Sequence, residues 1–376
     1  MRVLCYGRFY DNVPGGMQRH VEHLFSSLKD TIDFVHLVPS RDFSGHRFTL
    51  HGYPVIRTPS WNVDGSLALS PGLITETFRQ QKKNNFDLVH LHFPDPMSHL
   101  ASLAISRKVP RIITWHADIV RQRHMRGIYQ PMLISELRKA SAIIVATPEH
   151  IISSPLLSRS EFTEKIRIIP YGFDLTRFSR PDPQLQQVRN NHPYRYIFAL
   201  GRHVYYKGFD VLIKAMKRLG EDVHLVLGGE GPLTQTLQSL VVQENLQNRV
   251  HILGMINDEL LPAYYQGAEL FCLPSISTAE AFGIVQVEAM AAGCPVVNTQ
   301  LNNGVNHVSI DGQTGFTVPP NDVLALAERI NYLLAHDELR KTMGLRARER
   351  VLSEFSHHAM AEKTLEIYKM AAGQQN

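Results

Sequence analysis

The chain has 376 residues, 44% of them hydrophobic and 20% charged, a composition that indicates a globular protein of about two domains rather than a disordered or fibrous one. Its net charge of +4 comes without any DNA- or RNA-binding motif, which argues against a nucleic-acid partner. No apolar run approaches the roughly 18 residues of a membrane span, and the first residues lack the apolar core of a signal peptide, so the sequence predicts a cytoplasmic protein.

Short apolar runs alternate with helical segments along the whole sequence. Continuous apolar runs of this kind are typical of parallel strands that helices cover on both faces. Eleven such strands would be unusual in one sheet, so we predict two doubly wound α/β domains facing a cleft. The predicted strands are Val3–Tyr6, Phe34–Val38, Leu88–Leu91, Arg111–Trp115, Ala142–Ala146, Ile166–Ile169, Tyr196–Leu200, Val223–Leu227, Val250–Leu253, Leu270–Leu273 and Pro295–Asn298.

The two predicted domains span residues 1–178 and 195–357. The segment between them, residues 179–194, is polar and rich in proline, and we interpret it as a linker. After Pro319 the pattern is almost wholly helical. The last amphipathic segment, about residues 358–376, is expected to pack back on the first domain.

Positive charge is concentrated in the first half of the chain. Residues 1–170 hold 21 Lys and Arg against 14 Asp and Glu, a balance of +7, whereas residues 171–376 hold 18 against 21, a balance of −3. The basic half includes Lys82-Lys83, Arg107-Lys108 and the segment from Arg121 to Arg126. This bias suits a phosphorylated substrate or an anionic membrane surface, and scattered solvated charge is the alternative.

Glycines lie between the first predicted strand and the following helix. Gly7 ends the strand, and Pro14-Gly15-Gly16 precedes a helix that runs through Val21, Leu24 and Leu28. Glycine lets a backbone approach a ligand closely, and a helix N-terminus favours anions. The pattern is not GxGxxG, so it does not predict dinucleotide binding, and a plain tight turn would look the same.

His116 follows the predicted strand Arg111–Trp115. If that strand end faces the cleft, its imidazole can bond a sugar hydroxyl or shuttle a proton, whereas a structural role is the alternative. His90 and His92 invite a metal-binding interpretation. We reject it because the sequence places neither a third ligand nor a DxD motif with them, and we predict an enzyme that needs no metal.

Two cations follow the first strand of the second predicted domain. Arg202 and Lys207 lie in the segment Gly201–Gly208, at the carboxyl end of a strand, where α/β sheets bind their ligands. Two cations beside glycines can neutralise the charge that builds up on a leaving nucleoside diphosphate. The alternative is a solvated loop.

A third pattern lies between Glu280 and Glu288. Glu280 is expected just ahead of a helix, with Glu288 about two turns further along the same side. The amides of Phe282, Gly283 and Ile284 would form an open helix terminus suited to phosphate oxygens. Glu288 lies in an apolar helix, where an idle charge would be costly, and its carboxylate can accept both hydroxyls of a ribose.

The order of these motifs resembles that of retaining glycosyltransferases of family 4, which have the GT-B fold. The resemblance covers essentially the whole chain, including Ile169–Asp174 and Asp311–Pro320. Where many members have a Gly-Gly pair followed by Glu, this chain has Asn303-Gly304 and then His307. Family members generally need no metal and retain the anomeric configuration.

The resemblance implies a role for each site residue. Arg202 and Lys207 would hold the diphosphate and Glu288 the ribose. Glu280 would contact the donor sugar, His116 would lie beside the reacting sugar, and the backbone of Gly15 and Gly16 would approach phosphate and acceptor. The acceptor would be a saccharide or a lipid-diphosphate-linked saccharide.

A narrower resemblance concerns the substrate. The segments His116–Gln122, Tyr129–Pro131 and Ser153–Pro155 are similar to those of mannosyltransferases that build bacterial O-antigen, part of lipopolysaccharide, or exopolysaccharide from GDP-mannose. The alternatives are a UDP-sugar-dependent glycosyltransferase and a GT-B sugar-nucleotide 2-epimerase. A two-domain binding protein is a further class, which the missing signal peptide and the cation pair argue against.

Overall fold

The computed structural model describes residues 1–7, 16–40, 43, 45–62, 68–116 and 126–373. The chain divides into two compact units, which we call the first and second domain. The first domain comprises residues 1–173 and 357–376, and the second comprises residues 174–356.

The first domain is built around an eight-stranded sheet in the order β10-β9-β8-β7-β1-β2-β4-β3, and a two-stranded sheet pairs β5 with β6. Only β3 is antiparallel to its neighbour in the large sheet. The strands are β1 (Arg2–Tyr6), β2 (Asp33–Pro39), β3 (Arg47–Leu50), β4 (Tyr53–Thr58), β5 (Trp61–Asn62), β6 (Ala68–Leu69), β7 (Leu88–Phe93), β8 (Arg111–Trp115), β9 (Ala142–Val145) and β10 (Ile166–Ile168).

Helices cover both faces of this sheet, because its strands are apolar on both sides. On one face, Val3 and Cys5 of β1 belong to a core that also includes Leu24 and Tyr368, whereas Leu4 faces the core on the other side. The helices are α1 (Gly16–Leu28), α2 (Pro71–Lys83), α3 (Pro96–Ser102), α4 (Arg126–Lys139), α5 (Glu149–Ser153) and, from the end of the chain, α15 (His357–Ala371). The C-terminal helix α15 thus packs beside α1.

The second domain holds a six-stranded, wholly parallel sheet in the order β13-β12-β11-β14-β15-β16. Its strands are β11 (Arg195–Leu200), β12 (Val223–Gly228), β13 (Val250–Gly254), β14 (Leu270–Leu273), β15 (Val296–Thr299) and β16 (Gly315–Val318). Its helices are α6 (Thr176–Ser179), α7 (Leu185–Asn191), α8 (Phe209–Ala215), α9 (Thr234–Gln243), α10 (Leu261–Gly267), α11 (Ile284–Ala291), α12 (Gly304–Val308), α13 (Val323–Ala335) and α14 (Asp337–Glu354).

All eleven predicted strands are present. The prediction missed β3 and β4, which carry arginines and a proline, the two-residue strands β5 and β6, and the short β16, which begins at Gly315. The predicted linker is also different in the structure. Residues 179–194 belong to the second domain, and their helix α7 buries Val188 and packs on α10. Prolines lie on both sides of this helix and limit its length, but none lies inside it, so a helix can form between them.

Candidate active site

The segment Gly201–Gly208 follows β11 and turns back through a short 3₁₀ helix at Tyr205–Lys207. Gly208 has a φ of +64°, and a Cβ there would lie 2.2 Å from the carbonyl oxygen of Pro274, so this turn requires glycine. Because β11 pairs with β14, the turn meets the segment after β14, and the Ile276 amide donates to the Tyr206 carbonyl at 2.8 Å. Two loops are thereby fixed beside each other at the carboxyl edge of the sheet.

The two predicted cations have different surroundings. Lys207 is buried, and its chain lies against Gly201, where a Cβ would come within 3.1 Å of Lys207 Cε. Arg202 is exposed, and its guanidinium has no ion pair with any residue that the structure describes. Lys207 is therefore fixed in place, whereas Arg202 is available to an anion from solution.

Lys207 and Glu280 form a buried ion pair. Lys207 Nζ lies 2.6 Å from Glu280 Oε2, and both side chains are 10% exposed. The hydroxyl of Ser275 donates to the same carboxylate oxygen at 3.0 Å, and Asn303 Nδ2 donates to the Glu280 carbonyl at 2.7 Å. The sequence predicted Lys207 and Glu280 separately but not their contact, and it missed Ser275.

Helix α11 begins beside this pair. Its N-cap is Gly283, with a φ of +68°, so no side chain caps the helix, and a Cβ there would lie 2.6 Å from Leu273 Cδ2. Phe282 is buried and Ile284 half-exposed. The predicted helix start is confirmed, and its open N-terminus carries the partial positive charge that attracts phosphate oxygens.

Glu288 lies on α11 and has a hydrogen-bond partner that Glu280 does not share, Tyr265. The Tyr265 hydroxyl donates to Glu288 Oε2 at 2.9 Å, and burial raises the pKa of this carboxyl although the Tyr265 bond and Arg177 act against the rise. Glu280 precedes the helix, so the helical spacing that predicted both carboxylates on one side does not apply to it. The two glutamates are held by different elements, which suits them to different parts of one ligand.

The loop after β12 was missed by the sequence reasoning. A Cβ on Gly229 would lie 2.1 Å from the Gly201 carbonyl oxygen, and one on Gly231 would lie 2.6 Å from that of His203. These glycines let the β12 loop lie directly against the Arg202 segment. The signal that could have found them is the glycine spacing Gly228-Gly229-Glu230-Gly231 immediately after a strand.

His116 of the first domain belongs to a cluster of rings that we call the histidine cluster: His20, His92, His116 and Tyr171. His92 Nδ1 lies 3.0 Å from His116 Nε2, and the Tyr171 hydroxyl lies 3.4 Å from His116 Nδ1. The ring centroids of His20 and His116 are 5.1 Å apart. The sequence places no third ligand with His90 and His92, whereas the fold brings ring nitrogens of His20 and His116 close to His92.

Burial controls the protonation of this cluster. It lowers the pKa of His20 to about 4, with a smaller contribution from His23, and it lowers the pKa of His92 well below its usual range. Both rings are therefore uncharged at neutral pH.

Of the two predicted glycines, Gly16 is the first residue of α1 and Gly15 lies outside the described residues. Arg121 and Arg123 of the basic segment also lie outside the described residues.

The chain matches two family models. Residues 14–177 match the model described as Glycosyltransferase Family 4, and residues 182–350 match Glycosyl transferases group 1. The D-rhamnosyltransferase WbpZ of Pseudomonas aeruginosa PAO1 is 30% identical over 361 residues, which are 95% of this chain and 92% of that protein. The O-antigen chain mannosyltransferase C of Escherichia coli is 27% identical over 289 residues, 77% of this chain and 76% of that protein.

A solved structure shows the same fold. The Anabaena protein HepE, crystallised with UDP, matches with a TM-score of 0.74 at 20% identity, over 98% of this chain and 100% of HepE. The likeness extends over both domains, each of which has the parallel α/β architecture described above.

Proposed function

Because the chain belongs to glycosyltransferase family 4 and has the GT-B fold, we propose that it is a retaining enzyme that transfers mannose from GDP-mannose to a saccharide or lipid-linked saccharide in surface polysaccharide synthesis. One observation supports the assignment of a sugar-nucleotide donor: the buried Lys207–Glu280 pair lies beside the open start of α11. The name of the relative O-antigen chain mannosyltransferase C supports mannose as the transferred sugar and a surface polysaccharide as the acceptor.

The donor diphosphate is assigned to Arg202, Lys207 and the α11 amides. The exposed guanidinium and the buried ammonium supply two charges, and the helix terminus adds oriented N–H groups. Together they can stabilise the leaving nucleoside diphosphate, so we propose that transfer needs no divalent metal.

Glu288 is assigned to the donor ribose. Its Oε2 accepts from Tyr265, while its Oε1 has no hydrogen-bond partner within the described residues. An oriented carboxylate with one oxygen available can accept ribose hydroxyls. Glu280, held by Lys207 and Ser275, is assigned to the sugar that is transferred.

Thermal denaturation with a panel of nucleotides tests the donor assignment. GDP and GDP-mannose are expected to raise Tm more than UDP, ADP and UDP-glucose, since saturation at 100 times Kd stabilises the folded state by about 2.7 kcal/mol. Arg202→Ala should reduce the shift, whereas Arg218→Ala, at an exposed position of the same domain, should not. A larger shift with UDP or UDP-glucose would contradict the GDP-mannose assignment and favour the UDP-dependent alternative.

Incubation with donor alone separates the transferase from a 2-epimerase. An epimerase turns over its sugar nucleotide without an acceptor, whereas a transferase leaves the donor almost unconsumed. We propose the transferase because the relatives that cover most of the chain carry transferase names.

We also propose that the protein binds an anionic membrane surface, where a lipid-linked acceptor would lie. Helices α2 and α3 pack on each other. Phe78 of α2 and Leu103, directly after α3, are each about half exposed, and Lys82 and Lys83 in the last turn of α2 are exposed as well. Arg107 and Lys108 follow α3 and are also exposed. Exposed apolar side chains among cations are suited to a phospholipid interface that carries negative charge. No helix in the described ranges has both the length and the apolar character that a membrane crossing requires.

The double variant Lys82→Glu/Lys83→Glu is expected to bind vesicles that contain phosphatidylserine at least about 30-fold more weakly, since each cation near such a surface contributes about 1 kcal/mol. Vesicle sedimentation measures this, and added salt should weaken the wild-type binding. The matched control is Arg218→Glu/Arg346→Glu, at exposed positions of the second domain. Equal binding of the wild type to neutral and anionic vesicles would show that this charge is only solvated surface.

A further inference from the structure

Three histidines of the first domain bring ring nitrogens together. One nitrogen from each of His20, His92 and His116 lies within 4.8 Å of the other two. The three residues come from different elements, the first turns of α1, the end of β7 and the position after β8. The sheet and its covering helix therefore fix three imidazoles around one point.

Hydrogen bonds leave one ring nitrogen of His20 without a partner. His20 Nδ1 is buried and has no hydrogen-bond partner in the part of the chain that the structure describes, and the residue is only 7% exposed. An unpartnered polar atom at such depth is uncommon and calls for a ligand or another explanation.

We infer that His20, His92 and His116 form a binding site for a divalent cation of the Zn²⁺ class, and that an ion bound there inhibits transfer. All three ligands are imidazoles, which suit Zn²⁺, Co²⁺ or Ni²⁺ and not the oxygen-seeking Mg²⁺ or Ca²⁺. A Zn–N distance near 2.0–2.1 Å places tetrahedral ligand nitrogens about 3.3 Å apart. His92 Nδ1 and His116 Nε2 are 3.0 Å apart, so this pair needs little movement.

His20 requires the larger adjustment. Its ligand nitrogen lies up to 4.8 Å from the others, so it must approach by at most about 1.5 Å, which a side-chain rotation can supply. Three protein ligands leave a fourth position for water, as in zinc sites with an open coordination position. His116 is only half-buried, and solvent reaches the cluster there.

The inhibitory effect follows from the role of His116. A cation on its Nε2 replaces the His92 contact and holds the ring that the proposed function places beside the reacting sugar. This part of the inference rests on the proposed function, whereas cation binding itself does not. The ion would be an inhibitor and not a cofactor, so it does not conflict with metal-independent transfer.

Titration of the metal-free full chain with Co²⁺ and Zn²⁺ tests the site. Tetrahedral Co²⁺ gives visible absorption bands, and calorimetry gives the stoichiometry and Kd for Zn²⁺. We expect one ion per chain, and at least tenfold weaker binding in each of His20→Gln and His116→Asn, because even the loss of a residue that only supports a ligand costs 10–100-fold. Circular dichroism should show that both variants remain folded.

The control concerns a histidine pair of the second domain. His224 Nδ1 and His251 Nε2 lie 3.0 Å apart in the second domain and are a rival chelating pair. The double variant His224→Asn/His251→Asn should keep wild-type affinity. Loss of the ion in this control, or unchanged affinity in both cluster variants, would overturn the inference.

Activity assays then separate inhibition from catalysis. EDTA should change the transfer rate by no more than about twofold, because side chains and helix amides already match the charge of the diphosphate. Added Zn²⁺ should lower the transfer rate, whereas added Mg²⁺ should not. Zn²⁺ that binds the cluster without slowing transfer would overturn the inhibitory part alone. A rate that falls with EDTA and returns with Mg²⁺ would instead contradict the proposed metal-independent transfer, and the binding result would stand. If no donor is turned over, the proposed function fails while the titration still decides the metal site.

Discussion

Arg202→Ala is expected to slow sugar transfer by roughly 10²–10³-fold while the protein stays folded. The guanidinium is exposed and makes no ion pair with a described residue, so its loss removes no contact that holds the second domain together. The rate falls because the leaving diphosphate loses a cation that matters most when its charge develops. Initial rates with varied donor measure the effect, and Arg218→Ala should behave like the wild type.

Lys207→Ala should slow sugar transfer by a similar factor and should also destabilise the folded protein. Unlike Arg202, Lys207 is buried and paired with Glu280. Removing one partner of a buried ion pair leaves an uncompensated charge, which costs about 3–5 kcal/mol. The double variant Lys207→Met/Glu280→Gln removes both charges, so it should recover much of the lost Tm but not the rate. Wild-type turnover in both Arg202→Ala and Lys207→Ala would refute the diphosphate assignment.

Glu280→Gln and Glu288→Gln are expected to affect different kinetic constants. Glu280 is assigned to the sugar whose positive charge develops during transfer, so its neutral replacement should lower kcat by roughly 10²-fold. Glu288 is assigned to the ribose, which changes little, so its replacement should mainly raise KM for the donor by about 10-fold or more, the value of one hydrogen bond to a charged group. Kinetics with varied donor at saturating acceptor separate the two effects.

Two further variants serve as controls for these carboxylates. Tyr265→Phe removes only the hydroxyl that orients Glu288, so it should raise KM less than Glu288→Gln does. Glu328→Gln, at an exposed position on α13, should leave both constants unchanged. If Glu280→Gln changed only KM and Glu288→Gln changed only kcat, the two assignments would be reversed.

Much of the fold was predictable because its determinants are local. A strand that is buried on both faces must be apolar throughout, and every predicted run of this kind, from Val3–Tyr6 to Pro295–Asn298, coincides with a strand. The strands that escaped prediction lack this property. β3 lies at the edge with alternating exposure, and β4 contains Pro54 and Arg57, so their pairing depends on neighbours that a local pattern does not contain.

The sequence by itself determined which residues of the site stand at the carboxyl ends of strands and at a helix start, because Arg202, Lys207, Gly283 and Glu288 follow strands that can be recognised locally. Only the tertiary structure decided their partners. Lys207 meets Glu280 across 73 positions of sequence because β11 pairs with β14, and His20 meets His92 and His116 because α1 covers β7 and β8. Side chains on different loops come together only when the sheet order is fixed, and that order depends on the packing of the whole domain rather than on any one segment.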